Sequence, residues 1–361
     1  MSDANSIMPI ADTKREVAEQ PSVIARVLRE LQDTIQETAA TLAERNIAQI
    51  ILLGSGDSWF AGQMVRLALE QYAGMRVEPM QAYEYAAYGC PGIDEKTAVV
   101  VISSSGRPTT TWDALDLALK TPAYVIGISD NPYEGNPFIE KPDVALLPNA
   151  SKKGLPAQTT TATVAILIDL AIELGRANGY LSTKQADDCL VQLRSMPDKM
   201  TDVLRESAKV VSTFVETAAD KRFFTLVGGG PSYGVACVGS ALLAEGPQAV
   251  GLPLTVEEFH HGLRFGTIGQ DEAVILIAPN GQVNQRNLDT ANSVNNWIAK
   301  LVAIVDETDE TISPLADTTF TVPSVPEPMS PLLTILPLHN LAIQLAEQKM
   351  SNGYQRPSKV P

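Results

Sequence analysis

The segment TVEEFHHGLRFG, residues 255–266, contains two of the three histidines in the chain, His260 and His261, and two glutamates. A histidine titrates near neutral pH and a carboxylate can accept and return a proton, so these residue types suit general acid and base catalysis. The alternative is a polar surface corner, because most glutamates in proteins are solvated. The residues alone leave both interpretations open.

The same histidines do not form the pattern of a metal site. Adjacent side chains such as His260 and His261 cannot reach one ion as the i and i+4 ligands of a helix do, and His339 lies in a separate apolar segment. The three cysteines are far apart and form no CxxC pair, which indicates neither a structural zinc site nor a disulfide framework and fits a reducing cytoplasm. We therefore expect no metal and no organic cofactor.

Two turns rich in glycine and hydroxyl groups are candidates for binding an anion. They are GSGDS at 54–58 and SSSGRPTTT at 103–111, and each separates an apolar run from a helical pattern. Unpaired backbone N–H groups and the positive end of the helix dipole attract anions at such a place, and the hydroxyls add hydrogen-bond donors. Because ligands of open α/β sheets bind at the carboxyl ends of the strands, both turns could converge on one anion.

Three other interpretations of these turns compete with the anion site. A dinucleotide site requires GxGxxG and an acid about 20 residues further on. GSGDSW lacks the third glycine, although Glu78 lies at a tolerable distance. A Walker loop is excluded because no GK[ST] follows. Simple tight turns with serine and threonine helix caps explain one such loop easily, but they explain three serines followed by three threonines less well.

The segments that would position these residues alternate between strands and helices. Apolar, β-branched runs predict buried parallel strands at 47–54, 97–104, 123–130, 222–230, 273–280 and 299–306. Helical patterns separate them, and a long, mainly helical stretch runs from about 159 to 217. This alternation predicts an α/β protein with two similar, doubly wound halves in tandem. The two halves also begin alike, with LLGSGDSWFAG in the first and LVGGGPSYGVA in the second.

Composition and charge exclude several classes of function. The formal net charge of −15 argues against nonspecific binding to nucleic acid or to an anionic membrane, because both depend on basic clusters. No run approaches the roughly 20 apolar residues that span a bilayer, and the first residues show no export signal. We therefore expect a soluble, unexported, cytoplasmic protein with a small-molecule ligand and no nucleic-acid or membrane partner.

Nearly the whole chain, from KREVAEQP at 14–21 to the RPSK tail, resembles the sugar isomerase (SIS) domain family. The resemblance is to the tandem-SIS isomerase module of the glucosamine-fructose-6-phosphate aminotransferases. It implies two flavodoxin-like SIS domains, each a parallel sheet with helices on both faces. We accordingly expect an N-terminal helical segment, a first SIS domain, a helical linker, a second SIS domain and a C-terminal active-site tail, at residues 1–45, 46–180, 181–217, 218–350 and 351–361. No glutaminase domain is expected to precede them, so the synthase reaction is not expected either.

The resemblance also implies which residues bind a sugar phosphate. The phosphate-binding hydroxyls of the family fall on Ser58 in the first turn and on three consecutive serines in the second, where Ser104 replaces a glutamine. Asp57 stands where the family has a threonine, and Pro108 where it has its last hydroxyl, with Thr109 adjacent. A carboxylate close to a phosphate is repulsive unless it is screened. The predicted substrate-binding residues are Ser55, Asp57, Ser58, Ser103, Ser104, Ser105 and Thr109.

For catalysis, the resemblance selects three residues. Glu245 and His261 have the spacing of the family's proton-transfer glutamate and ring-opening histidine. Their rivals are His260, Glu257 and Glu258. Lys359 in the tail matches the lysine that forms an imine with the ketose, although an ordinary solvated lysine is the alternative. In the family the histidine comes from the neighbouring subunit, which implies a homodimer with His261 contributed across the interface.

These expectations define an enzyme and its alternatives. We expect a sugar isomerase that acts at C1 and C2 of an anionic, 6-phosphorylated sugar, or an amino-sugar-phosphate deaminase, through an open-chain sugar and an enediol or enolamine. A fructosamine-phosphate deglycase and a 6-sulfo-sugar isomerase are alternatives, since GLPAQTTT at 154–161 lacks the lysine of the family's substrate loop. From another class, the alternative is a noncatalytic sugar-phosphate-binding regulator.

Overall fold

The structure is a computed structural model that describes residues 10–107, 109–221, 223–266, 269, 272–297 and 299–354. By its internal contacts the chain divides into two compact units. In the described residues, the N-terminal unit comprises 20–151 and 158–198, and the C-terminal unit comprises 10–19, 152–157 and 199–354. Each unit is therefore assembled from segments that are separate in the sequence.

Helices and strands alternate through most of the described residues. The strands are β1 (Gln49–Gly54), β2 (Arg76–Gln81), β3 (Thr97–Ile102), β4 (Tyr124–Ile128), β5 (Val144–Leu146), β6 (Phe223–Gly228), β7 (Val250–Thr255), β8 (Ala273–Ala278), β9 (Lys300–Asp306) and β10 (Thr318–Val322). The α-helices are α1 (Ile10–Glu30), α2 (Gln32–Glu44), α3 (Asp57–Ala73), α4 (Ala82–Tyr88), α5 (Thr110–Ala118), α6 (Pro137–Glu140), α7 (Gln158–Ala177), α8 (Thr183–Arg194), α9 (Met196–Ala218), α10 (Pro231–Glu245), α11 (Val256–Phe259), α12 (Asn284–Asn296), α13 (Pro331–Thr334) and α14 (Leu336–Ser351). Short 3-10 helices occupy Gly262–Gly266, Ser313–Leu315 and Glu327–Met329.

Each unit contains one parallel five-stranded sheet, and the two sheets share one topology. The N-terminal unit has the order β2-β1-β3-β4-β5, and the C-terminal unit has the order β7-β6-β8-β9-β10. This is the flavodoxin-like order. The second strand lies on one side of the first strand, and the third and later strands are added on its other side. The predicted α/β class with two tandem, doubly wound parallel sheets is confirmed.

All six predicted strands are present, and the sequence interpretation missed four others, β2, β5, β7 and β10. The edge strands β2 and β7 each contain a proline, Pro79 opposite Leu52 and Pro253 opposite Leu226. A proline has no N–H to donate, and an edge strand tolerates this because one of its sides carries no partner strand. A proline inside a run of residues also weakens the local signal for a strand.

The long helix α7 explains why a threonine-rich segment is not a surface loop. It is buried along almost its whole length, from Gln158 to Gly175, and packs against α2 and α3. A helix that is apolar or buried on every side lies in the core of its domain. The hydroxyls of its first turn are therefore held inside the N-terminal unit. In the part of the chain that the structure describes, no helix has the length and apolar character needed to cross a membrane.

Candidate functional site

The first predicted anion-binding turn follows β1 and opens α3. Gly56 precedes the helix with a φ of 55°, a backbone conformation that favours glycine. A Cβ atom on Gly54 would lie 2.6 Å from the carbonyl carbon of Ser58, so the chain can fold back this closely only at a glycine. Ser58 donates its N–H to the carbonyl of Ser55 (3.3 Å). Ser55, Asp57 and Ser58 therefore lie at the N-terminus of α3, where an anion is favoured.

Ser55 connects this turn to two neighbouring elements. Its Oγ accepts a hydrogen bond from Nε2 of Gln81 at the end of β2 (3.3 Å) and lies 3.4 Å from Oγ1 of Thr111 in the first turn of α5. The two predicted turns are thus joined at the carboxyl edge of one sheet. The sequence interpretation did not select Gln81 or Thr111, and the signal that could have found Gln81 was its place at the end of an unrecognised strand.

Asp57 is the first residue of α3 and is partly buried. Its Oδ2 accepts a hydrogen bond from Oγ1 of Thr160, a residue of α7 that is 2% exposed, across 3.3 Å. The helix dipole also favours a carboxylate in the first turn of α3. The acid predicted to stand in place of the family's threonine is therefore held by a residue of GLPAQTTT, the segment predicted to replace the family's lysine-bearing loop.

The second turn carries the three serines in different environments. Ser103 and Ser104 are buried, whereas Ser105 is exposed. The carbonyl of Ser104 accepts a hydrogen bond from the N–H of Asp130 (3.1 Å), and Oγ of Ser105 accepts one from the N–H of Arg107 (3.3 Å). The backbone of the turn is consequently anchored, and Ser105 is its exposed serine.

The glycine of the second turn is its structural centre. Gly106 has a φ of 60°, and a Cβ atom there would collide with the side chain of Asn136. Its carbonyl accepts two hydrogen bonds, from Nε1 of Trp112 (3.1 Å) and from the hydroxyl of Tyr133 (2.5 Å). Asn131 donates to the carbonyl of Ser105 (3.0 Å). The loop that follows β4 thus fixes the serine turn, and the sequence interpretation did not include these residues.

Thr109 has a structural contact at the position where a last phosphate-binding hydroxyl was predicted. It is the residue before α5, and its Oγ1 accepts a hydrogen bond from the N–H of Thr111 (3.3 Å). This is a helix N-cap, in which the hydroxyl oxygen accepts while its hydrogen stays available to a ligand. Pro108 lies outside the described residues.

In the C-terminal unit, Glu245 is the last residue of α10 and is exposed. The turn after it has strained backbone, because Gln248 has a φ of 53° although it is not a glycine. Lys349, which is 7% exposed, donates from Nζ to the carbonyl of Pro247 (3.1 Å), and the hydroxyl of Tyr354 donates to Oε1 of Gln248 (3.0 Å). The side chains of Lys349 in α14 and of Tyr354 just after it therefore hold the turn that follows Glu245.

His261 lies between α11 and the 3-10 helix Gly262–Gly266, and its side chain is 65% exposed. Its Nε2 is 3.4 Å from Oε1 of Glu257. The other oxygen of Glu257 accepts a hydrogen bond from Arg286 (2.8 Å), and this guanidinium lowers the pKa of Glu257. An ionised Glu257 can therefore orient the imidazole of His261 and leave its other nitrogen directed elsewhere.

His260, the rival of His261, has the contacts of a structural residue. Its Nε2 lies 3.0 Å from Oγ1 of Thr290, and this hydroxyl donates to the carbonyl of Arg286. A hydroxyl has one hydrogen, so Nε2 of His260 must donate, and Nδ1 is left to accept from Arg264 (3.4 Å). Burial, then Arg286 and Arg264, lower the pKa of His260. The ring is neutral and fully engaged.

The third histidine, His339, lies in the core of the C-terminal unit. His339 is buried in α14 with a backbone hydrogen bond at Pro156, and burial lowers its pKa to about 4. Lys359 lies outside the described residues. Among the residues that the structure describes, His, Cys, Asp and Glu side chains form no group of three able to hold a metal ion.

Residues 42–172, which carry both hydroxyl-bearing turns, match the family model of the SIS domain. Over these residues the chain is similar to the SIS domain family. The SIS match agrees with two curated relatives, both named glutamine–fructose-6-phosphate aminotransferase [isomerizing]. The protein of Bacteroides thetaiotaomicron is 29% identical over 349 residues, and that of Thermus thermophilus 27% over 339 residues. Each alignment covers 92% of this chain and 55% of the relative, so the chain spans about half the length of these relatives.

Solved structures resemble both SIS-like sheets. The C-terminal domain of glucosamine-fructose-6-phosphate aminotransferase from Francisella tularensis matches with a TM-score of 0.84 at 18% identity, over 94% of this chain and 96% of that one. Glucosamine-6-phosphate deaminase from Thermotoga maritima matches with a TM-score of 0.74 at 16% identity, over 95% of each chain. At such identities the likeness establishes the fold. The predicted resemblance to a tandem-SIS module is confirmed.

Proposed function

We propose that the chain is a sugar isomerase that acts at C1 and C2 of an anionic sugar, in the first instance a 6-phosphorylated one. The observation that carries this proposal is the contact between Ser55 and Thr111, which joins two hydroxyl-bearing turns at the carboxyl edge of a SIS sheet. The names of the relatives, which are enzymes of sugar phosphates, support the substrate class.

The anion of the sugar is held by hydroxyls and backbone N–H groups of the N-terminal unit. Ser58 lies in the first turn of α3, and the exposed Ser105 lies in the second turn. Thr109 can donate its hydroxyl hydrogen while it caps α5. Hydrogen bonds from neutral hydroxyls and from a helix N-terminus bind phosphate without a lysine.

Proton transfer falls to exposed groups of the C-terminal unit. Glu245 removes the proton from C2 of the open-chain aldose, the C2–H electron pair forms the C1=C2 bond of the enediol, and the oxygen at C1 takes a proton. Return of the proton to C1, with loss of the proton on O2, gives the ketose. His261, oriented by Glu257, opens the sugar ring. In deamination and deglycation the same shift operates on an enolamine, and Lys359 is the candidate for imine formation.

His261 is proposed to act in the neighbouring subunit of a homodimer. Three large apolar side chains beside it, Leu263, Phe265 and Trp297, are exposed in the single chain. Phe265 and Trp297 form a T-shaped pair at 5.7 Å, so the patch is ordered by its own contacts. Contiguous exposed aromatic residues of this kind are typical of protein interfaces. The patch supports an assembly in which the His261 loop meets a second copy of the chain.

Solvent exchange at the reacting carbons tests this function. The protein is incubated in deuterated water with 6-phosphosugars, amino-sugar phosphates, fructosamine phosphates and 6-sulfo sugars, and deuterium at C1 and C2 is followed by NMR. Exchange that is lost in Glu245→Gln and kept in Glu258→Gln supports the proposal. Loss of exchange in Glu258→Gln alone would show that Glu258, and not Glu245, carries out the proton shift. Binding without exchange for every sugar would favour a noncatalytic regulator.

A further inference from the structure

The glycine turn of the C-terminal unit repeats the backbone of the anion-binding turn. Gly230 precedes α10 with φ and ψ of 52° and −128°, and Gly56 precedes α3 with 55° and −130°. Gly228 closes on Ser232 as Gly54 closes on Ser58, with no room for a Cβ atom at either glycine. Both turns therefore present a helix N-terminus at the carboxyl edge of a parallel sheet.

The side chains around the repeated turn differ from those of the first. The loop after β8 reads PNGQ at 279–282, where the loop after β3 reads SSSGR at 103–107. The C-terminal unit thus lacks the run of hydroxyls and has a carboxylate instead. Glu327, from the 3-10 helix that follows β10, accepts a hydrogen bond on Oε2 from the N–H of Gln282 (2.9 Å).

The carboxylate of Glu327 lies close to two glycines, Gly281 in the loop after β8 and Gly230 in the turn before α10. A Cβ atom on Gly281 would collide with the carboxyl group of Glu327, so only glycine allows the approach. A Cβ atom on Gly230 would lie 3.6 Å from Oε1 of the same carboxyl group, which places that oxygen beside the residue before α10. A negative charge next to the N-terminus of a helix is stabilising.

We propose that Glu327 is a built-in anion that fills, in the C-terminal unit, the place that a ligand anion takes in the N-terminal unit. The consequence is one external anion site per chain, although the turn backbone occurs twice. The carboxylate accepts a hydrogen bond from the loop after β8 and lies beside the residue that precedes α10, whose other end bears Glu245. The ligand of the opened site would be an oxyanion such as inorganic phosphate or sulfate.

Chemical rescue tests this assignment without any activity measurement. Removal of the carboxylate in Glu327→Ala should lower the thermal stability of the full chain, and inorganic phosphate should restore it at constant ionic strength, because a ligand that binds only the folded state stabilises that state. Equilibrium dialysis should find one more phosphate per chain in this variant than in the wild type. Glu310→Ala, which removes an exposed acid of the same unit, is the matched control.

A stability gain from phosphate that is no larger in Glu327→Ala than in Glu310→Ala, with unchanged stoichiometry, overturns the proposal. If the alanine variant does not fold, Glu327→Gln replaces it, since the amide keeps the shape and one acceptor but loses the charge. Glu327→Gln should then bind phosphate as the wild type does, because the amide still fills the place, yet lose stability relative to Glu310→Gln. A failure here leaves the proposed isomerase function unaffected, because that function uses the turns of the N-terminal unit.

Discussion

Thr160 donates a hydrogen bond to Asp57 across 3.3 Å, so a buried hydroxyl of α7 fixes a carboxylate beside the turn proposed to bind the sugar's anion. The contact lies within the N-terminal unit and joins two features that the sequence resemblance predicts to be departures from the family pattern, the acid in the first turn and the segment GLPAQTTT. The fixed negative charge of Asp57 repels any further negative charge on an anion bound beside it. The charge state of the sugar's anion should therefore decide how tightly it binds.

Asp57→Asn should increase the affinity for a 6-phosphosugar by about tenfold, since two unit charges about 4 Å apart repel by roughly 1 kcal/mol or more. Isothermal titration with the wild type and the variant measures this. The second phosphate ionisation lies near pH 6, so wild-type affinity should fall as the pH rises through that value, and the asparagine variant should lose most of the dependence. A 6-sulfo sugar keeps one charge and should show no such trend.

Asp116→Asn is the control, because it removes an exposed acid of α5 away from this turn. Equal gains in Asp57→Asn and Asp116→Asn would mean that only net charge matters, and the proposed position of the anion would be wrong.

The sequence contained enough to predict the central strands and the two turns, and too little to predict the edges. β3 and β8 are buried throughout and almost entirely apolar because both faces of a central parallel strand are covered. β2 and β7 are less buried and contain Pro79 and Pro253, so their existence depends on pairing with β1 and β6. Pairing of this kind is a tertiary effect that overrides local preference.

The candidate site was predictable where residues are close in the sequence and not where the fold brings distant ones together. The serines of both turns follow strands that local pattern reveals. Gln81 reaches Ser55 from β2, Tyr133 reaches Gly106 from the loop after β4, and Lys349 reaches Pro247 across 102 positions of the chain. The roles of Glu245, His261 and Lys359 stay predictions.

Lys349 should position Glu245 without touching the substrate. In Lys349→Met the carbonyl of Pro247 loses its donor, and the turn with the strained Gln248 is free to relax. We expect kcat for sugar isomerisation, or the rate of C2 exchange, to fall by about tenfold or more with little change in KM, because a displaced base affects the transition state more than binding. Steady-state kinetics on the responsive sugar measures the split.

Lys349→Arg keeps a cationic donor and should recover part of that rate. Lys209→Met removes an exposed lysine of α9 and should leave both constants unchanged. A rise in KM at constant kcat in Lys349→Met would show that the residue serves binding instead.

Mixing two inactive variants tests whether His261 acts across a dimer. In a heterodimer of Glu245→Gln and His261→Asn, sharing of His261 between subunits gives one site with both residues intact and one with both replaced. A statistical mixture of two-fold dimers should then recover about a quarter of wild-type activity. If His261 acts within its own chain, every site carries one replacement and activity stays absent.

Phe265→Glu places a charge in the exposed patch beside His261 and should weaken the dimer. Sedimentation measures the change, and activity should fall with dilution. Glu272→Gln offers a comparison in the same unit that leaves the patch intact. A variant that sediments as the wild type does would remove the patch from the interface.

Asp169→Asn should stabilise the chain above neutral pH. Asp169 is 5% exposed in α7, and burial, then Glu173, raise its pKa to about 7. Between the ordinary value of 3.8 and about 7, the folded state holds a proton that the unfolded chain has released, so stability falls as the pH rises through this window. A shift of this size corresponds to roughly 4 kcal/mol. Asparagine stays neutral and avoids the loss.

The advantage of Asp169→Asn should therefore be absent below pH 4 and largest above pH 7, in urea unfolding measured across that range. Glu173→Gln should destabilise the chain at neutral pH, because Glu173 pairs with Arg176 (3.1 Å) and accepts a hydrogen bond from Gln36 (3.0 Å). Asp188→Asn changes an exposed acid of α8 and should have no effect. A pH-independent gain in Asp169→Asn would show that packing, and not the buried ionisation, sets the stability at this position.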